Sequence, residues 1–316
     1  MRILLTGAAG MLGSSVVPEL VRRGHSVVVT DIRLGSPRPW GDDGPSICHL
    51  DVRDDAEIRD AFADVEPELV LHLAAETSLE VCERDPDGAA RTNALGTKLV
   101  ALACHRAAIP LCYISTAGVF DGTKSEPYTE FDPPNPINVY GQTKLAGEHF
   151  TQRLVDHHYV VRAGWMVGGG HGKDHKFVSL ILDQLAAGQT TIYAVSDKLG
   201  TPTYAADFAR CLGDLVVSGS YGLYHMSGEG TGSRFDVARV ILDVLGRHDV
   251  ELVPVTSEHF SRDYFAPRPR SELMRNLMLE LQGMNSMRLW QQAVEDYLRA
   301  AFPDRIAGRP SLVSAP

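Results

Sequence analysis

No run in this chain approaches the roughly 18 apolar residues that a membrane-spanning helix needs, so no membrane partner is expected. Cysteine is scarce. The five, at 48, 82, 104, 112 and 211, form no CxxC pair and have no companion histidines at metal spacing, which reads as reduced, mostly buried thiols. Positive charge is also short: 30 basic against 40 acidic residues give −10 at pH 7, so no overall basic field draws in a nucleic acid. A local cluster can still hold a small anion. The apolar run Ile3 to Leu5 is too short for a signal-peptide core, and a cytoplasmic protein is the expectation. Internal repeats, low-complexity tracts and charge blocks are missing. What remains is 316 residues, 44% hydrophobic and 22% charged, with a mean hydropathy of −0.09, values of an ordinary globular protein long enough for two domains.

Up to about residue 163, short β-branched runs alternate with amphipathic segments, which predicts an α/β fold with a doubly wound parallel sheet. Strands are expected at Arg2–Thr6, Ser26–Thr30, Ile47–Leu50, Glu68–Ala74 and Pro110–Ser115. Helices are expected at Ser14–Arg23, Asp54–Phe62 and Asn93–Ala107, and from Tyr140 to about Asp156. The turn-rich stretch Gly35–Pro45 reads as a surface loop. From Gly168-Gly169-Gly170 onward the regularity loosens. Residues 1–163 are therefore expected to form a dinucleotide-binding domain to which later segments return, and 164–316 mainly a smaller mixed α/β substrate lobe. Ser286–Phe302 has helical spacing, and the last dozen residues read as a frayed tail.

Thr6-Gly7-Ala8-Ala9-Gly10-Met11-Leu12-Gly13 follows the first strand and opens a helix, the context a dinucleotide-binding turn requires. Gly7 permits the tight turn, Gly10 lets backbone N–H groups reach a pyrophosphate, and Gly13 allows close helix–sheet packing. Asp31 closes the second strand, where a carboxylate accepts both adenosine ribose hydroxyls and repels a 2′-phosphate, favouring NAD over NADP. Ile32 adjoins it. Arg33 either pairs with a 2′-phosphate, which keeps NADP open, or is a solvated loop charge. Asp51-Val52, after the third strand, reads either as an adenine neighbour or as a helix N-terminal acid.

Tyr140 and Lys144 stand four apart on one helix face. A phenol titrates near 10 and becomes a useful proton donor near neutrality when a cation favours its phenolate, a part Lys144 can play. Ser115-Thr116 adds hydroxyls at the end of the fifth strand, where ligands of doubly wound sheets bind.

The glycine turn, then His72-Leu73-Ala74-Ala75, Asn93, Ile114-Ser115-Thr116 and Tyr140-x-x-x-Lys144 resemble, in order and spacing, the extended short-chain dehydrogenase/reductases. The nearest likeness is to the dTDP-4-dehydrorhamnose reductase family. It is carried by Val119-Phe120-Asp121-Gly122, Leu145-Ala146-Gly147-Glu148, Arg162 with Trp165, Gly200-Thr201-Pro202-Thr203 and Arg268-Pro269 with Ser271 and Leu273, and it covers the chain to about residue 300. The resemblance implies that Thr116 holds the substrate carbonyl with Ser115 beside it, and that Tyr140 delivers a proton as hydride arrives from the nicotinamide. Lys144 then binds the nicotinamide ribose and lowers the tyrosine pKa. Gly7, Ala9, Gly10, Met11, Leu12, Asp31, Ile32, Arg33, Asp51, Val52, Leu73, Ala74, Ala75 and Asn93 surround the cofactor with Tyr140 and Lys144.

On the substrate side the resemblance implies Thr77, Trp165, Thr201, Arg268 and Ser271 around a nucleotide-linked sugar. A guanidinium fork at Arg268 suits a diphosphate, the alternative being a solvated charge between two prolines, and Trp165 reads equally as packing between lobes. The chain departs from that family at Ala117-Gly118, usually Asp-Tyr, and at Glu76-Thr77-Ser78-Leu79-Glu80, usually Tyr-Thr-Lys-Val-Asp. A different 4-keto sugar or altered stereochemistry is therefore open. Val81–Pro86 is closer to the epimerase branch and makes Cys82 a packing residue. No metal is expected: His171 and His175 are four apart, but the glycines at 168–172 make that stretch irregular. In that family the helices after Asn93 and through Tyr140 commonly pack against those of a second subunit, so a homodimer is one expectation. The leading reading is an NAD(P)H-dependent reductase of a nucleotide-linked 4-keto-6-deoxy sugar. The alternatives are a nucleotide-sugar epimerase or dehydratase of the same fold, or a non-catalytic dinucleotide-binding subunit like the β subunit of methionine adenosyltransferase.

Overall fold

In a computed structural model, residues 1–34, 38, 40–41, 44–174 and 177–306 are described. Much of the expected loop Gly35–Pro45, His175 of the histidine pair and the tail from 307 onward lie outside them. The first six strands, β1 (Arg2–Thr6), β2 (Ser26–Asp31), β3 (Ile47–His49), β4 (Leu69–His72), β5 (Leu111–Thr116) and β6 (His158–Ala163), pair in parallel with a seventh, Gly222–Met226. The order is Gly222–Met226, β6, β5, β4, β1, β2, β3, so the winding reverses between β1 and β4. A crevice at that reversal, beyond the carboxyl ends of the strands, is where such sheets bind ligands.

Apart from the exposed edge strand β3, the strands are largely apolar because both sheet faces are covered. One face packs α1 (Gly13–Arg22), through Val16, Val17 and Leu20, with helix Ala205–Ser218, through Phe208, Leu212 and Leu215; the other packs Ile58, Val100, Ala101 and Cys104. The later half thus returns both a strand and a helix to the sheet. A second core gathers helices Phe177–Ala186, Arg234–Leu245 and Trp290–Ala301 around the parallel pair Thr191–Val195 and Glu251–Val255. Between the halves the chain runs through Gly168, Gly169 and Gly170, whose φ values of 146°, 80° and 59° are open to glycine at low cost.

The expected helix from Asn93 begins earlier: it runs from Pro86, passes through a π-helical segment at Ala90–Gly96 and continues as Thr97–Ala107. Among the described residues no helix is long and apolar enough to cross a membrane.

Candidate active site

The glycine turn sits at the reversal point. Gly7 takes φ 74°, and a Cβ there would come within 2.5 Å of the Ala74 nitrogen. A Cβ on Gly13 would overlap the Ala8 carbonyl, so both positions need glycine. Ala8 donates from its backbone to Thr30 and Leu73 to Thr6, at 3.0 and 3.1 Å, which draws the ends of β1, β2 and β4 together. No side chain caps α1 at Leu12, and no acid lies in its first turn. Ser14, Ser15 and Val16 donate to the Gly10 and Leu12 carbonyls, so what the helix start offers an anion is its positive dipole end. Ala9 is buried, with Gly10, Met11 and Leu12 half-buried around this end, and Leu73, Ala74 and Ala75 half-buried beside it.

Asp31 is buried, its Oδ2 accepting from the Ala9 N–H and its Oδ1 from the Arg33 N–H, both at 2.9 Å. The carboxylate therefore braces the turn. Each oxygen retains acceptor capacity toward the crevice. Arg33 extends into solvent with its Nε 4.0 Å from Asp31, and Ile32 is exposed. This cradle, with its uncapped helix, required glycines and carboxylate, fits a nicotinamide dinucleotide.

One reading of this end needs correction. Asp51 is not the helix N-terminal acid: its carboxylate is gripped by Arg53 at 2.6 Å, and Asp54 caps the next helix through the N–H groups of Ala56 and Glu57. Val52 is buried, packed where a Cβ on Gly96 would touch it.

Helix Val139–Leu154 carries the phenol and the ammonium. Asn138 caps it through the Gly141 N–H at 2.7 Å, and Glu83 accepts from the Val139 N–H at 2.8 Å. A Cβ on Gly141 would overlap the Gly118 carbonyl and one on Gly147 the Tyr113 hydroxyl, so these glycines let the helix lie directly on β5. The Tyr140 phenol thereby meets the Thr116 hydroxyl. Burial pushes this phenol up to about 12, with the Thr116 hydrogen bond pulling it back. Lys144 stands one turn further along the same helix. Its ammonium is buried over the Tyr113 ring, 4.2 Å from the centroid, and is held by the field of Glu148.

Burial pushes Lys144 down to about 7. A lysine whose folded pKa lies below its unfolded value binds fewer protons when folded, so stability rises with pH between about 7 and 10. The thermal midpoint of the cofactor-free protein, taken relative to Lys144→Met, is expected to climb across that window. A constant difference would refute the depressed pKa.

Ser115 and Asn93 have other work. Ser115 Oγ donates to Glu148 at 2.5 Å in a buried group with Arg162, turned away from Thr116 as strand alternation demands. Ser115 is therefore removed from the substrate side. Asn93 is fully buried. It accepts from the Glu76 N–H at 2.8 Å and donates to the Glu76 carbonyl and to Thr143, at 3.0 and 3.1 Å, positioning the 76–78 segment on the catalytic helix. Thr77 is exposed on that segment, and Cys82 is buried, as a packing residue is.

Opposite Thr116 and Tyr140 stands the later half. Trp165 donates from Nε1 to Glu272 Oε2 at 2.7 Å, while one ring face carries the Arg234 guanidinium at 4.2 Å and a Cβ on Gly200 would strike the ring. The indole is clamped rather than offered for stacking. Thr201 spends its hydroxyl on the Gly230 carbonyl at 3.0 Å. Arg268 pairs with Glu80 at 2.7 Å and lies over Tyr264 at 5.3 Å, so it is no solvated loop charge. The Ser271 hydroxyl is buried with no partner among the described residues. Glu272 and Arg234 were not picked out in the sequence: Glu272 stands unassigned between Ser271 and Leu273, and Arg234 belongs to no motif.

The fold and this site define an NAD(P)-dependent oxidoreductase of the extended short-chain dehydrogenase/reductase class. Residues 1–302 match the RmlD substrate binding domain family, and the chain belongs to it. It is 33% identical to a dTDP-4-dehydrorhamnose reductase of Mycolicibacterium smegmatis over 95% of this chain and 85% of that protein. Among solved structures it resembles a dTDP-4-dehydrorhamnose reductase of Clostridium acetobutylicum, with a TM-score of 0.85 at 34% identity over 95% of this chain and 99% of that one. The Bacillus anthracis enzyme, solved with NADP, gives 0.83 at 31% identity over 95% and 99%.

Proposed function

We propose that the protein reduces the C4 carbonyl of a dTDP-linked 4-keto-6-deoxy sugar with NADH or NADPH. The observation that carries this is the nearness of the Thr116 hydroxyl to the Tyr140 phenol at the end of β5, with β4 between them and the glycine turn. When bound, the reduced nicotinamide supplies the hydride. Residues 7–13, Asp31 and 73–75 hold the dinucleotide, and Lys144 holds its ribose. Thr116 donates to the substrate carbonyl, and Tyr140 transfers its phenolic proton to that oxygen as the carbon becomes tetrahedral. The test is loss of nicotinamide absorbance on mixing protein with dTDP-4-keto-6-deoxy sugars. Oxidation with one of them supports the reading, and silence with all of them, despite cofactor binding, rejects it.

Asp31 biases the choice of dinucleotide. A carboxylate at this place accepts ribose hydroxyls and repels a 2′-phosphate. Asp31→Ala is expected to raise the NADPH-to-NADH ratio of kcat/KM by about tenfold, while weakening both cofactors through loss of the Ala9 brace. An unchanged ratio would remove Asp31 from the ribose site.

A further inference from the structure

Ala117-Gly118 puts no polar side chain beside Thr116, yet a carboxylate stands there. A Cβ on Gly118 would lie 3.4 Å from Thr116 Oγ1 and 3.6 Å from Glu272 Oε1, so both oxygens face the same small space, which glycine leaves open. Glu272 is held firmly: Trp165 donates to its Oε2 at 2.7 Å, and Trp165 is itself wedged between Arg234 and Gly200. Its Oε1 has no donor among the described residues. Burial raises the Glu272 pKa, and the Trp165 hydrogen bond with the positive charges of Arg234, Arg268 and Lys198 draws it part of the way back toward the carboxylate. Arg234, between the rings of Trp165 and Phe177, has no hydrogen-bond acceptor among the described residues and remains free for the anionic end of a ligand.

We infer that Glu272 is a specificity-determining residue that accepts a hydrogen bond from a hydroxyl on the ring carbon next to the reacting carbonyl. This rests on the reductase reading above. Oxygens on adjacent ring carbons sit side by side, so a carbonyl oxygen held by Thr116 brings its neighbouring hydroxyl to Glu272 Oε1. A site built around such an acceptor discriminates strongly against a ligand lacking the hydroxyl, because the carboxylate is then buried unpaired.

The test compares dTDP-4-keto-6-deoxyglucose with its 3-deoxy counterpart in wild type, Glu272→Gln and Glu272→Ala. Wild type is expected to favour the hydroxylated sugar in kcat/KM by about 10²-fold, and Glu272→Ala to erase that preference by losing only the hydroxylated substrate. Glu272→Gln, which keeps an oxygen for Trp165, is expected to lose about tenfold. Equal losses on both sugars, or none, would overturn the assignment, since a purely supporting residue cannot distinguish them. Calorimetric binding of the same two compounds to protein saturated with NADP⁺ reads Glu272 without turnover. A preference in binding without turnover rejects the reductase reading and keeps Glu272, whereas binding with no preference, or no binding, rejects Glu272.

Discussion

Tyr140→Phe is expected to lower kcat by about 10³-fold while the affinities for NADH and NADPH stay within about twofold. The phenol is half-buried, and burial raises its pKa to about 12, so at neutral pH the proton is always present. Its delivery depends on how well the oxygen it leaves is stabilised. The Thr116 hydroxyl lies beside that oxygen and lowers its pKa, and the ammonium of Lys144 stands over Tyr113. Phenylalanine keeps the ring and its packing and deletes only the acid, so single-turnover measurements should place the loss in the chemical step. Cofactor affinity follows from fluorescence titration. Turnover within about tenfold of wild type would mean that another group protonates the sugar oxygen.

The residues differ in how plainly the sequence disclosed them. The glycine turn was legible because backbone geometry demands it: φ 74° at Gly7 and the contact of Gly13 with Ala8 leave no other choice. The strands β1, β2, β4 and β5 were legible because burial on both faces writes an apolar run. That later segments return was expected, but that Gly222–Met226 is the strand beside β6 was not legible, since its pairing is decided by packing across some sixty residues. Ser115 and Thr116 were separable in principle, because neighbours on a strand face opposite sides. The i, i+4 spacing put Tyr140 and Lys144 on one face but could not show that the ammonium settles on Tyr113. Glu272 and Arg234 lay beyond reach of any pattern. They meet at Trp165 from a loop and a helix start that share no periodicity.

The largest stability effect is expected beneath the site. Arg162 grips Glu148 in a bidentate pair, with contacts of 2.9 and 2.7 Å, and both side chains are almost wholly buried. Ser115 adds its hydroxyl to the same carboxylate, and the His225 ring nitrogen lies 3.4 Å from Arg162. Burial and the Arg162 charge push His225 down to about 3, so it stays neutral and adds no competing cation. Arg162→Ala would strand the carboxylate, and the protein is expected to lose about 3–5 kcal/mol in chemical denaturation. Replacing both, Arg162→Leu with Glu148→Leu, removes the stranded charge and is expected to recover most of that loss. The single and double variants together separate a net stabilising pair from one that merely punishes its own disruption. The double variant has a further consequence, because Glu148 is the charge that favours the ammonium of Lys144. Without it the Lys144 pKa is expected to fall still lower, so a well-folded double variant should lose activity at neutral pH and regain part of it as the pH is lowered. Full activity at pH 7 would show that the buried pair serves the fold alone.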